Sequence, residues 1–374
     1  MKTFILETPG ALRLAETAEP PAPGPGEALI RVHQVGVCGT DYHAFLGEQP
    51  FFTYPRVLGH ELGVEVLAVG TGSADLEVGA RCAVEPYFSC GHCPACRRGT
   101  TNCCVNLQVF GVHIDGGLRE RAIVPAVRLH AAPALSFAQL ALVEPLSIGA
   151  HAVARVNLAA GERALVVGAG PIGLAVIQFA LLAGADVTVM DISEQRLAFC
   201  RQLWPRVTVI DARDEPLAAL QDGVGDDLPT AVFDATGNQR SMMASFQYVA
   251  HGGRLIFVGL FQGDVTFHDP DFHRRELTLL ATRNATGSDR DLSELLEQFD
   301  AREILHVTFG SVLTARNAAD QRYFYDDLMD VLRAHPDAYA DDLERHFLRH
   351  LRPFAQGSWS MPRTTRTLLK EGDA

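Results

Sequence analysis

No run of apolar residues in the chain approaches the roughly 18 that a helix needs to cross a bilayer, so no membrane span is expected. The first residues, MKTFILETPGALRL, have neither a basic start nor an apolar stretch long enough for a secretory leader. Cations are in short supply. Against 45 Asp and Glu stand 32 Lys and Arg, a formal charge of −13. That balance excludes nucleic acid or an anionic membrane surface as the main partner, although a local basic pocket for an acidic substrate remains open. Internal repeats and low-complexity blocks are absent, so a repeat array is excluded. Cysteine is sparse, eight residues in all. In a chain without a leader these are expected as reduced thiols or metal ligands, not as disulfides, and a cytoplasmic protein is expected.

What is present fits a globular α/β enzyme. The chain has 374 residues, more than one core comfortably holds, so two domains are expected. Hydrophobic residues make up 47% and glycines number 33, in keeping with that class. The densest signal is CGHCPACRRGTTNCC. Cys90, Cys93 and Cys96 are spaced by three, and Cys104 follows eight positions on. Four thiolates at this spacing satisfy a tetrahedral zinc, so a structural zinc is expected here. Cys103 falls outside the spacing, and Cys82 reads as a small buried hydrophobe in a strand.

The N-terminal part reads as strands and turns. A hairpin is expected over residues 1–19, then a strand from Ala28 to Val37 that runs into the turn Cys38-Gly39-Thr40-Asp41-Tyr42-His43. Gly59-His60-Glu61 precedes another strand, GVEVLAVG. Cys38, His60 and Glu61 offer a sulfur, a nitrogen and an oxygen, a mixture that suits zinc. A single histidine in such a place is more often a packing or surface residue, and spacing alone does not bring the three together. Glu144, in LVEPLS, is a carboxylate among apolar neighbours and needs a partner: a hydrogen bond, a cation or a metal. It equally suits the start of a helix.

Residues 163–191, RALVVGAGPIGLAVIQFALLAGADVTVMD, read as strand, glycine turn, helix and strand. Within GAGPIG, Gly168 permits the tight turn, Gly170 lets the backbone approach a pyrophosphate, and Gly173 packs helix on strand. The phosphate then sits at a helix N-terminus. Asp191 closes the second strand 18 residues after Gly173. A carboxylate there bonds ribose hydroxyls and repels a 2′-phosphate, so NAD is expected over NADP, with Arg196 close enough to temper the preference. Further strands are expected at Thr208–Ile210, Ala231–Phe233, Leu255–Val258 and within 274–285. Thr236 and Gly259 fall just past strand ends, where ligands meet open parallel sheets.

Taken together, VCGTDYH, GHE, the four-cysteine lobe, VEPLSIGAH and GAGPIG resemble the zinc-dependent medium-chain dehydrogenases of the alcohol and polyol dehydrogenase superfamily. The resemblance covers roughly residues 1–300. It implies a GroES-like, β-rich catalytic domain over 1–147, with the zinc lobe at 88–106, and a doubly wound parallel Rossmann domain over 148–285. It also implies an active site in the cleft between the two, and two zinc ions per chain. The catalytic zinc would be held by Cys38, His60 and Glu144, with Glu61 as an exchangeable fourth ligand or neighbour. NAD would be held by Gly168, Gly170, Pro171, Ile172, Gly173, Asp191, Arg196, Thr236 and Gly259. Zinc at such a site lowers the pKa of a substrate hydroxyl, and hydride passes to the nicotinamide. Thr40 and His43 match the positions that relay the proton in related enzymes.

The EPLS form, with glutamate, resembles the sorbitol, polyol and sugar-acid branch. The run NCCVNLQVFGVHIDGG is similar to enzymes that oxidise hexonates such as L-galactonate. His113 and Arg119 are then candidates for contact with a carboxylate, the alternatives being packing for His113 and a solvated strand position for Arg119. The expected partner is a small polyol or sugar acid, and the expected assembly a homodimer or homotetramer. Residues 286–374 depart from the family. DLSELLEQFDA fits its helix, but the following segment resembles the C-terminal part of a tagaturonate epimerase. YDDLMDVLRAH and DDLERHFLRHL have helical periodicity, and a mainly helical segment packing on the catalytic domain or sheet edge is expected. Two other readings stay open: an amino-alcohol dehydrogenase of the threonine type, and an inactive nucleotide-binding protein whose cleft the altered tail spoils.

Overall fold

The computed structural model of the chain describes residues 1–285 apart from 50–51, 74–75, 134 and 225–226. The expectations for residues 286–374 lie outside the described residues.

The first half is built from short strands whose apolar residues alternate with polar ones, as a sheet with one buried face requires. Strands β1 (Lys2–Thr8) and β2 (Ala11–Glu16) form the expected hairpin. Next come β3 (Glu27–Gly36), β4 (Glu61–Val69), β5 (Arg81–Val84), β6 (Tyr87–Phe88), β7 (Gln108–Val109), β8 (Arg121–Pro125) and β9 (Leu129–Ala131). The main sheet runs in the order β8-β3-β4-β5-β9, all antiparallel, and β6 pairs with β7 at the root of the cysteine lobe. Phe4, Leu6, Ile30, Leu58, Leu62 and Phe110 fill its core, all fully buried. Each such side chain contributes about 1.5–3 kcal/mol by leaving water.

The VCGTDYH segment is not the expected turn. It opens helix α1 (Gly39–Leu46). The Asp41 carboxylate accepts from the Cys38 backbone N–H at 2.9 Å, satisfying a donor at the helix start, and Gly47 ends the helix at φ +79°. In the lobe a single turn, α2 (Pro94–Arg97), starts at Cys93. Past β9, α3 (Phe137–Ala141) covers the main sheet.

The second half is a six-stranded parallel sheet. Its strands are β10 (Arg163–Val167), β11 (Asp186–Asp191), β12 (Thr208–Asp211), β13 (Ala231–Asp234), β14 (Arg254–Phe257) and β15 (Thr278–Ala281), in the order β12-β11-β10-β13-β14-β15. RALVV, DVTVMD and AVFD are nearly continuous apolar runs because helices cover both faces of such a sheet. The strand order reverses beside β10, where open α/β sheets hold dinucleotides.

Helix α4 (Val143–Val156) runs across the expected boundary between residues 147 and 148. Its first turn belongs to the catalytic half. Its later turns lie on helix α5 (Pro171–Leu182) so closely that a Cβ on Gly149 would come within 2.5 Å of the Ala175 backbone. Asn157, at φ +53°, ends it. One rigid element therefore carries Glu144 and also braces the nucleotide half.

Candidate active site

Three side chains from two stretches of sequence converge at the inner end of the main sheet. The ligand atoms of Cys38, His60 and Glu61 lie within 4.8 Å of one another. Cys38 caps α1, while Gly59 and His60 lead into β4, which starts at Glu61. The β3–β4 register pairs Glu61 with Gly36. A Cβ on Gly36 would sit 2.0 Å from Glu61 Oε2, so the missing side chain is what lets this carboxylate lie inward.

Glu144, expected as third ligand, lies outside that 4.8 Å set, although its charge acts on both Cys38 and His60. It is buried in the first turn of α4, and its Oε1 accepts a hydrogen bond from the Tyr87 hydroxyl. Glu61 thus stands with Cys38 and His60, and Glu144 beside them.

The donor set fits a divalent cation. Burial, then Asp41 and Glu144, pushes the Cys38 thiol up to about 12. Burial, then the Cys38 and Glu144 charges, raises Glu61 well above the usual carboxylate range. Burial and then the Glu144 charge do the same to Tyr87. At His60, burial disfavours the charged ring, but Asp41, Glu144 and Glu61 outweigh it and raise the pKa. Anions this crowded and dry are stable only as neutral acids or around a cation, and sulfur, nitrogen and oxygen donors together suit zinc.

The remaining predicted positions divide. Thr40 lies beside the set, two residues after Cys38 in the first turn of α1, and acts to lower the Cys38 thiol against the larger effect of burial. His43 does not. It lies exposed on the outer face of α1, with Nδ1 3.2 Å from Glu48 Oε2. The Glu48 carbonyl in turn accepts from Gln262 Nε2 of the nucleotide half at 2.6 Å, which links the two halves. Asp41 and Tyr87 were not singled out from the sequence. Asp41 Oδ1 stands 3.6 Å from His60 Nδ1, a second use of the carboxylate that caps α1. Its place in CGTD, at the third helical position, was a usable signal. Tyr87 meets Glu144 across 57 residues and left none.

In the lobe, Cys90, Cys93, Cys96 and Cys104 converge to the same tolerance, and Cys103 stays outside, exposed. Backbone N–H groups of Cys96 and Val105 lower the Cys93 thiol to about 6, which readies it as a thiolate.

The nucleotide loop has the shape expected of it. Gly168 takes φ +95°. A Cβ on Gly173 would meet Gly168 O at 1.8 Å, whereas one on Gly170 would meet nothing within 4 Å, so open space lies at the start of α5, above Pro171 and Ile172. Asp191 is buried. Its Oδ2 accepts from Ala169 N at 2.7 Å and its Oδ1 from Ser193 N at 2.8 Å, with Arg196 Nη1 3.5 Å from Oδ2. The carboxylate therefore shapes the glycine turn. Thr236 lies against Gly168, and Gly259 packs on Gly237, so both come to the C-terminal edge of the sheet.

Residues 24–134 match the model of the alcohol dehydrogenase GroES-like domain, and residues 171–301 that of the zinc-binding dehydrogenases. Residues 277–354 match tagaturonate epimerase. An L-galactonate-5-dehydrogenase from Escherichia coli K12 is 44% identical over 289 residues, 77% of this chain and 85% of that protein. A 2-dehydro-3-deoxy-L-galactonate 5-dehydrogenase from Pseudoalteromonas atlantica is 34% identical over 273 residues, 72% of this chain and 80% of its own. Among solved structures, an alcohol dehydrogenase, RspB, from Escherichia coli CFT073 complexed with NADH superposes with a TM-score of 0.76 at 29% identity. That match covers 84% of this chain and 95% of the other.

Proposed function

Because the chain belongs to the zinc-binding dehydrogenase family, with its alcohol dehydrogenase GroES-like domain in front, we propose that it oxidises a secondary hydroxyl of a hexonate such as L-galactonate. It is a zinc-dependent dehydrogenase, with NAD as the hydride acceptor. The observation that carries the site assignment is the tight set of Cys38, His60 and Glu61, whose charged forms a cation would stabilise.

We assign Cys38, His60 and Glu61 as the groups that hold the catalytic zinc and the four lobe cysteines as holders of a second. Bound at the first site, zinc supplies a Lewis acid that lowers the pKa of the substrate hydroxyl. The chain's own residues do the rest. Asp41 Oδ1 stands 3.6 Å from His60 Nδ1, too far for a hydrogen bond but near enough for its charge to favour a proton on that side of the ring. Thr40, beside Cys38 in the first turn of α1, is assigned the role of taking up the substrate proton through its hydroxyl. Glu144, kept by Tyr87 just outside the metal set, is a second buried carboxylate able to hold that proton. The glycine loop, Asp191, Thr236 and Gly259 position NAD at the edge of the cleft.

We read the protein as cytoplasmic, supported by eight cysteines that are all unpaired, and as a homodimer or homotetramer. None of the described helices is long and apolar enough to cross a membrane. NADH absorbance with a panel of aldonates, polyols and L-threonine, with and without chelator, tests the activity. Chelator-sensitive turnover of a hexonate is expected. Full zinc content and NAD binding with no turnover of any alcohol would overturn the reading.

A further inference from the structure

An aspartate inside an apolar strand is costly unless donors reach both its oxygens. Asp234 closes β13 in the run AVFD and is fully buried, with no surface left for a ligand. Its Oδ1 accepts from the Thr236 N–H at 3.0 Å and from the Thr236 hydroxyl at 2.6 Å. Its Oδ2 accepts from the hydroxyls of Ser241 at 2.7 Å and Ser245 at 2.9 Å. A carboxylate has about four acceptor positions, and here each has its donor.

Those donors come from the loop assigned to the coenzyme and from the elements behind it. Thr236 Oγ1 also accepts from the Asn238 N–H at 3.1 Å. Asn238 Oδ1 accepts from the Ser241 N–H at 3.0 Å, which starts the short helix Gln239–Ala244, and Ser245 opens the turn that follows it. The main chain extends the tie sideways. The Asp234 carbonyl accepts from Val258 N and Gly259 N at 2.9 and 3.0 Å, and Ala235 N donates to the Val167 carbonyl at 2.9 Å. Asp234 and its neighbour thereby join the ends of β10, β13 and β14, on the edge where open parallel sheets hold a dinucleotide.

The three loops at that edge fit closely. A Cβ on Gly168 would come within 3.0 Å of Thr236 Cγ2, and one on Gly259 within 2.3 Å of Gly237 N. Gly237 itself, at φ +58°, would carry a Cβ 2.9 Å from the Leu260 carbonyl oxygen. Thr236 and Gly237 are thus wedged between the glycine turn and Gly259–Leu260. Glycines at 237 and 259 give this backbone little stiffness of its own. The groups that hold it in one shape lie behind it, at Asp234.

We propose that Asp234, with Ser241 and Ser245, is a positioning residue for the coenzyme, fixing Thr236 and Gly237 from inside the protein in the conformation that NAD(H) meets. The inference rests on the coenzyme placement above. An anchor of this kind removes the cost of ordering the loop on binding, so it acts on the affinity for either coenzyme and not on the choice between them.

The test is NADH binding to the zinc-loaded full chain, read by fluorescence titration beside zinc content, melting temperature and steady-state kinetics. The double variant Ser241→Ala, Ser245→Ala removes both donors to Oδ2 and leaves every residue of the rim in place. Its Kd for NADH and KM for NAD are expected to rise by about five- to twentyfold, with zinc content and KM for the alcohol unchanged. The NAD over NADP preference in kcat/KM should also be kept. Asp234→Asn should bind NADH within about threefold of wild type, because its amide oxygen serves Thr236 and the serine hydroxyls can turn to accept from its NH2. Asp234→Leu can do neither, and should weaken NADH more than the double variant does. A double variant that loses melting temperature but binds NADH as wild type does, or one whose coenzyme preference shifts, overturns the anchor alone. A wild type that binds no NADH overturns the coenzyme placement and the anchor together.

Discussion

Gly36 decides which carboxylate reaches Cys38. It carries no side chain, so Glu61, its partner in the β3–β4 register, turns inward to the metal set while Glu144 is kept by Tyr87. Gly36→Ala puts a methyl group 2.0 Å from Glu61 Oε2 and must displace it. Metal analysis of this variant is expected to find one zinc lost per chain of about two, with the lobe zinc retained and turnover abolished. Both ions present at wild-type activity would remove Glu61 from the metal set. Asp191 has two duties, and its removal should show both. Asp191→Ala frees the ribose position from a charge that repels a 2′-phosphate and also drops the bond that holds Ala169 N. NAD should bind more weakly and the NAD over NADP preference should fall at least tenfold, as read from kcat/KM for each coenzyme. An unchanged ratio takes the residue out of coenzyme choice. At this scale the sequence was legible wherever a residue's chemistry is unusual, as for Cys38, His60 and the glycine loop. The order of Glu61 and Glu144 was hidden because strand register and a tyrosine 57 residues away set it.

Among elements, the cysteine lobe does more than hold itself together. Its own small core, with Tyr87, Leu107, Val109 and Val112, also takes in Ala285 from the end of the nucleotide half. Asn102 donates to Arg283 O and lies 3.2 Å from His151 Nε2 on α4. The lobe therefore touches both the helix that carries Glu144 and residues 283–285, whose Ala285 lines the cavity beside that carboxylate. Cys104→Ser is expected to lose the lobe zinc, lower the melting temperature by several degrees and raise KM for the hexonate more than for NAD. Zinc counting, calorimetry and steady-state kinetics on one preparation check all three. An unchanged substrate KM would make the lobe a staple only. The cysteine spacing announced this element without effort, since four thiolates in fifteen residues have few other uses. Helix α1 was misread as a turn because GTDYH has weak helical character. Its start depends on one cap, Asp41 on the Cys38 N–H, that appears only once the chain is folded.

Over the whole molecule, the fold class was legible from the change in period between half-buried alternating strands and continuous apolar ones. The boundary was not, because α4 serves both cores and no glycine- or proline-rich linker marks a joint. The metal set then ties the stability of the catalytic half to pH. In the metal-free protein, Glu61 has a folded pKa well above its ordinary 4.5, with burial the first cause, and Glu144 is also raised. The folded state therefore binds more protons than the unfolded one, and this contribution to stability is complete below about 4.5 and is lost as pH climbs through the raised values. Cys38 adds nothing to the change near neutrality, since its ordinary 9.0 and its raised value of about 12 both lie above it. Cys93, lowered to about 6, works in the opposite direction and is unaffected by changes at Glu61. Zinc takes the place of the protons at Glu61. The gap in melting temperature between zinc-loaded and chelated protein should consequently widen between about pH 5.5 and pH 8. Glu61→Gln has no proton to release there, and its gap should widen distinctly less. Calorimetry of both proteins at the two pH values decides the matter. Equal widening would mean that His60 and the lobe thiols, without Glu61, link metal binding to pH, and that the buried carboxylate beside Cys38 does not meet the ion.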